Sequence, residues 1–287
     1  MRSVFFGTPR FAEVILERLI SAGYAPAALV CNPDRPVGRK RVLMAPPTKR
    51  LIAHVRPDIP VLQPEKIDGG LSGALKGFDA DLFIVAAYAK ILPRELIELP
   101  ARGTLGIHPS LLPKFRGVSP IQSAILAGEA KTGTTIFLID EKADHGPILT
   151  QKEVELLGGE TTPELTETLA RTSAELLLET LNRYMSGEVR PREQEHGAAT
   201  MTKKIRMEDA YISPEDLARA EKEGGEIASV IERKVRAFNP EPGVWTVRSG
   251  RRLKLLEAIS TPNGKLKLLV VQAEGGKPRR LDTDWRK

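Results

Sequence analysis

Apolar residues in this chain follow two rhythms that alternate along its first half. Val4 to Phe6 form a short apolar run ending at Gly7-Thr8-Pro9, and Phe11, Val14, Ile15 and Leu19 then recur at helical spacing. Ala27 to Cys31 predicts a second strand. Asp81 to Tyr88 is apolar without alternation, the pattern of a strand in a parallel sheet covered on both faces. Gly103 to His108 and Thr134 to Asp140 predict further strands, with a helix over Pro120 to Ala127 between them. Strand and helix in alternation predict an α/β fold, a doubly wound and mostly parallel sheet whose ligands bind where strand ends meet loops.

Leu165, Leu169, Leu176, Leu177 and Leu181 place a long helix over residues 162 to 186, and a polar stretch with Pro191 and Gly197 follows. Beyond it the pattern predicts one helix over 214 to 237. Short apolar segments come next, Val244 to Val247, Leu253 to Ala258 and Leu266 to Gln272, broken by Gly250 and Asn263-Gly264. Asn-Gly between apolar runs is a hairpin signal, so the second body is expected to be a small antiparallel barrel or sandwich. The division expected is residues 1–187, a linker over 188–202, and 203–287. A chain of 287 residues fits two bodies at roughly 150 residues per domain.

Composition narrows the compartment and the partners. One cysteine, Cys31, leaves no disulfide framework and no multi-cysteine metal module, so no metal is expected and a reducing cytoplasm is. The longest apolar run, Leu82 to Ala89, is far shorter than the roughly 20 residues of a spanning helix. No membrane partner is expected. Residues 1 to 199 balance 24 basic against 24 acidic side chains, whereas residues 200 to 287 carry 19 and 13, so the entire net charge of +6 falls in the last part. Such a basic region suits a polyanion; on charge alone a merely basic solvated surface remains the alternative.

Two stretches carry candidate chemistry. Gly7-Thr8-Pro9 fits neither a dinucleotide nor a Walker loop and reads as a tight strand-to-helix turn. His108 closes a strand in Gly106-Ile107-His108-Pro109-Ser110-Leu111-Leu112-Pro113-Lys114-Phe115-Arg116-Gly117. Asp140 and Asp144 flank another strand end some 30 residues on. Adjacent strand ends would bring His108 within reach of Asp144, an imidazole oriented by a carboxylate. On spacing alone a structural histidine is the competing reading. Ser110 has no nucleophile elbow around it.

The run Ile107 to Gly117, with Ser119-Pro120-Ile121-Gln122 and Asp144-His145-Gly146, resembles the signature of the folate-dependent formyltransferases. Asn32 to Arg39 with Pro46-Pro47-Thr48-Lys49, Lys203-Lys204-Ile205, and Lys234 to Trp245 are similar to segments of the methionyl-tRNA formyltransferases, and the resemblance covers essentially the whole chain. It implies transfer of a formyl group from the co-substrate 10-formyltetrahydrofolate to the α-amine of initiator methionyl-tRNA. It further implies His108 as oxyanion partner or proton shuttle and Asp144 as its orienting carboxylate. The folate pocket implied is lined by Ala86, Ala87, Tyr88, Ile91, Leu92, Ser110, Leu111, Leu112 and Pro113. The tRNA contacts implied are Arg39, Lys40, Arg41, Lys203, Lys204, Arg206 and Arg236. Asp34 to Arg50 reads as a long basic loop, by itself a solvated flexible one, and with the resemblance a phosphate contact through Arg39 to Arg41.

One position departs from the pattern. The family places an asparagine two residues before the histidine, and this chain has Gly106. Losing one oxyanion donor costs about 2.7–4 kcal/mol, unless a backbone N–H, a water in the vacated space, or His145 replaces it. Two alternatives therefore stand: a tRNA- and folate-binding protein with impaired catalysis, and a formyltransferase acting on an amino sugar or other small amine. A bacterial cytoplasm is expected, since no Arg-rich, acid-poor leader opens the chain. A monomer is expected.

Overall fold

The computed structural model describes residues 1–38 and 41–281. The chain forms two compact units. The first comprises Met1–Val118, Lys131–Glu155 and Thr166–Met201; the second comprises Ser119–Ala130, Leu156–Leu165 and the chain from Thr202 onward.

The first unit is a doubly wound α/β domain. Strand β1 (Ser3–Gly7) is buried throughout, and helix α1 (Arg10–Ser21) lays Phe11, Val14, Ile15 and Leu19 on the sheet, as their spacing predicts. Gly7 is required at this turn, because a β-carbon there would stand 2.6 Å from the Ala12 β-carbon and 2.8 Å from the Ala86 carbonyl. Strand β2 (Ala28–Val30) follows, then β3 (Arg35–Val37) and β4 (Val42–Met44), which pair as an antiparallel hairpin. Helix α2 (Pro47–Val55) starts on the proline-favoured first position. The basic segment 34–50 is thus built from a hairpin and a helix start. Its hairpin escaped the periodicity because the three β4 side chains are all exposed.

Next come β5 (Val61–Leu62), α3 (Gly69–Lys76), β6 (Leu82–Ala86), α4 (Arg94–Ile97) and β7 (Thr104–His108). Past α5 (Pro120–Ala127), which belongs to the second unit, β8 (Lys131–Leu138), β9 (Ile148–Glu155) and α6 (Thr162–Met185) complete the series. The sheet order is β5-β2-β1-β6-β7-β8-β9. Five strands run parallel, while β8 and β9 are antiparallel to their neighbours. One core cluster packs Val4, Phe6, Val30 and Phe83 against Leu71, Leu75, Leu96 and Ile97. Residues 188–202, expected as a linker, include segments built into the unit: Arg192 pairs with Ile148, and Gln194 is buried.

In the second unit the single helix expected over 214–237 is two, α7 (Pro214–Lys222) and α8 (Glu226–Phe238). Gly224 and Gly225 break it at φ 78° and 74°, and the Gly225 N–H donates to the Gly264 carbonyl at 3.0 Å. The strands are β10 (Trp245–Arg248), β11 (Arg251–Ser260), β12 (Leu266–Ala273) and β13 (Arg279–Arg280). They form an antiparallel sheet in sequence order, four-stranded among the described residues, consistent with the small antiparallel body expected and with the reduced, OB-like β-barrel that the family resemblance implies. Asn239 ties the end of α8 to this sheet, its amide donating to the Leu255 and Leu256 carbonyls. Among the described residues no helix is long and apolar enough to cross a membrane, and no group of three His, Cys, Asp or Glu could hold a metal ion.

Candidate functional site

His108 ends β7 as a buried residue whose Nε2 lies 2.8 Å from the Phe115 carbonyl. A carbonyl only accepts, so this contact assigns the neutral ring its Nε2–H tautomer and leaves the Nδ1 lone pair outward. Nδ1 stands 3.6 Å from Asp144 Oδ1, beyond a hydrogen bond and within ion-pair range. The other carboxylate oxygen accepts from the Gly117 N–H at 2.7 Å. The residues flanking the Phe115–Gly117 corner therefore fix both partners, one through a carbonyl and one through an amide.

The route by which the pair meets differs from the expected one. Because β8 is antiparallel to β7, Leu138 lies opposite Leu105 and His108 opposite Thr135, so the 139–147 loop leaves from the far end of β7. The two groups do not share adjacent strand ends; the loop folds back to deliver Asp144. Asp144 sits at φ 49°, a left-handed conformation that a non-glycine residue keeps only where its surroundings hold it.

Gly106 is filled around rather than open. It faces Phe137 across β7 and β8, and a β-carbon at 106 would overlap the Phe137 ring, with Cζ at 2.5 Å and Ile139 Cγ1 at 3.0 Å. Phe137 is buried and packs with Leu112 and Ile148. The place of a side chain at 106 is thus occupied by an aromatic ring, which leaves no room there for the water considered from the sequence. His145, another substitute considered, has one ring nitrogen committed: its Nδ1 lies 2.6 Å from Asp140 Oδ2, and its ring stacks on His196 with centroids 4.1 Å apart.

The residues expected to line a folate pocket divide into two groups. Ser110, Leu111, Leu112 and Pro113 form a preorganised loop: Ser110 donates to the Lys114 carbonyl, the Leu112 N–H donates to Thr135 Oγ1, and Gln151 donates to the Leu112 carbonyl. The backbone of residue 112 is therefore paired internally, its N–H with Thr135 and its carbonyl with Gln151. Leu92 and Ala86 are core residues, whereas Ala87 is exposed at φ 48° and Ile91 is 85% exposed. The Tyr88 hydroxyl is buried with no partner among the described residues, and burial pushes its pKa up to about 12. An unpaired buried hydroxyl is the kind of group a polar-edged ligand satisfies.

The basic residues also separate. Arg39 and Lys40 lie outside the described residues. Arg41, Lys203, Lys204 and Arg206 are exposed. Arg236 is a correction: its guanidinium is spent on a fork to Glu232, at 2.6 and 3.0 Å, and on the Glu160 carbonyl, with only 12% of the side chain exposed. Sequence reasoning also missed Phe137 and Gln194, whose roles arise from partners far away in the chain and have no local motif.

Residues 1–181 match the family described as Formyl transferase, and residues 226–267 match Formyl transferase, C-terminal domain. A methionyl-tRNA formyltransferase of Chloroflexus aurantiacus is 43% identical over 259 residues, covering 90% of this chain and 80% of its own. One from Roseiflexus sp. is 39% identical over 312 residues, covering 100% and 92%. Among solved structures, HypX from Aquifex aeolicus in complex with tetrahydrofolic acid has a TM-score of 0.65 at 17% identity, covering 98% of this chain and 46% of that one, a likeness of fold. With matches to both domains and such identity across almost its full length, the chain belongs to the formyl transferase family and groups there with the methionyl-tRNA formyltransferases.

Proposed function

We propose that the protein transfers the formyl group of 10-formyltetrahydrofolate to the α-amine of initiator methionyl-tRNA. The observation that carries the reading is the His108–Asp144 pair, 3.6 Å apart, in a chain of this family. The acceptor nitrogen attacks the formyl carbon, the new C–N bond forms as the carbon–N10 bond breaks, and one proton passes from amine to N10. Asp144 and the outward Nδ1 of His108 are the acceptor groups for that proton, and once one of them holds it a small closure of their separation makes a hydrogen bond between them. The oxyanion donor is not a side chain at 106, so it comes from His108 in its protonated state, from His145, or from a backbone N–H.

For folate, the supports are the rigid Ser110–Pro113 loop and the unpaired Tyr88 hydroxyl. For tRNA, they are the exposed Arg41, Lys203, Lys204 and Arg206 and the basic balance of residues 200 to 287. The test is an assay of purified protein with 10-formyltetrahydrofolate and charged initiator tRNA, an amino sugar, or no acceptor. Formyl-methionyl-tRNA as the product is the expected outcome. Transfer only to the sugar, or to neither, contradicts the proposal.

A further inference from the structure

The segment Pro113–Gly117, which grips His108 through the Phe115 carbonyl and Asp144 through the Gly117 N–H, is itself held by residues 194–201. Thr200 Oγ1 accepts from the Phe115 N–H at 2.8 Å, the Thr200 carbonyl accepts from the Arg116 N–H at 2.9 Å, and Arg116 bridges to Met201. Gln194 sits at the centre of this arrangement, 5% exposed. Its Oε1 accepts from Arg116 Nε at 3.2 Å and Nη2 at 2.7 Å, and its Nε2 donates to the carbonyls of Asp144 at 2.9 Å and Gly146 at 2.7 Å. Arg116 is 6% exposed, and its Nη2 also lies 2.9 Å from His196 Nδ1.

All four hydrogen-bonding positions of this amide are used, two on a buried cation and two on carbonyls that flank His145. Only a group that accepts on one side and donates on the other can join those partners. A carboxylate keeps the link to arginine and loses both donors; an aliphatic side chain loses everything. What the donors hold is the backbone of Asp144, in its left-handed conformation, and therefore the direction of its carboxylate.

We infer that Gln194, anchored by Arg116, is a positioning residue for formyl transfer: it holds the Asp144 loop so that the carboxylate faces His108. The inference rests on the formyl-transfer reading above. It assigns a part in catalysis to a stretch that the sequence presents as connection between domains.

The test is a double-mutant cycle between Gln194→Glu and Asp144→Asn, read as kcat and KM for the formyl donor. Gln194→Glu alone is expected to lower kcat by about 10- to 100-fold with KM within about twofold, the mark of a lost transition-state arrangement rather than lost binding. In the Asp144→Asn background the same change is expected to cost less than about threefold, since the group it positions is already disabled. An unchanged kcat, a rise in KM alone, or equal factors in both backgrounds would overturn the inference. If Gln194→Glu does not fold, Arg116→Lys, which keeps the charge and loses the fork, is held to the same outcomes. The unsubstituted protein is assayed first, and no transfer there refutes the functional reading itself. The NMR chemical shifts of the His108 ring nitrogens at one fixed pH then decide without turnover: Gln194→Glu must perturb them as Asp144→Asn does, and no movement overturns the inference.

Discussion

Gly106 and Phe137 are one decision made at two positions. The ring of Phe137, packed with Leu112 and Ile148, stands where a side chain at 106 would begin. Gly106→Asn is therefore expected to destabilise the fold by about 1–3 kcal/mol through overpacking, and to lower turnover rather than raise it as a simple missing donor would imply. Denaturant unfolding checks the first part, and a gain in rate contradicts the second. Cys31 makes a separate prediction. It is fully buried, and burial pushes its pKa up to about 11 from 9.0. Below pH 9 both folded and unfolded chains keep the proton and the thiol adds no pH dependence. Between there and about pH 11 the unfolded chain ionises first, so stability falls with rising pH. Cys31→Ala is expected to flatten that part of the stability–pH curve, and an identical slope in both proteins contradicts the assignment. At this scale His108 and Asp144 were legible because each lies in a short signature run, Ile107 to Gly117 and Asp144-His145-Gly146. Phe137 and Gln194 were not, because what they do is defined by residues 31 and 50 positions away.

Among the elements, those buried on one or both faces were legible from spacing alone, as β1, α1 and β6 show. Elements whose side chains meet water were not: the β3–β4 hairpin presents Val42, Leu43 and Met44 outward, and no apolar alternation announces it. The division of α7 from α8 escaped for another reason. Gly224-Gly225 within an amphipathic pattern reads as a tolerated weakness, and only the touching turn at Gly264 makes it a break. Arg236 in α8 yields the prediction at this scale. Because its guanidinium joins Glu232 and the Glu160 carbonyl, Arg236→Ala is expected to lower the melting temperature of the protein while leaving the salt dependence of tRNA binding unchanged. Lys203→Gln with Lys204→Gln, at exposed positions, is expected to do the reverse, reducing the slope of log K against log salt by roughly one for each phosphate no longer neutralised. Fluorescence binding titrations over a salt series and thermal melts check the pair. A changed slope in Arg236→Ala with an unchanged melt would return that arginine to the tRNA surface.

For the molecule as a whole, charge and chemistry are distributed unequally. The unit that carries the His108–Asp144 pair comes from the part of the sequence whose charges balance, and the excess of six positive charges lies beyond residue 199. This is the distribution expected if the proposed transfer takes place in one unit and the polyanion is met mainly by the other. The central claim is that a carboxylate and an imidazole together move the proton of the acceptor amine. It is tested most directly by single-turnover formyl transfer to initiator methionyl-tRNA at saturating 10-formyltetrahydrofolate, comparing the unsubstituted protein with Asp144→Asn. The account predicts a rate at least about 10²-fold lower in the variant with folate affinity retained; equal rates in the two proteins would contradict it.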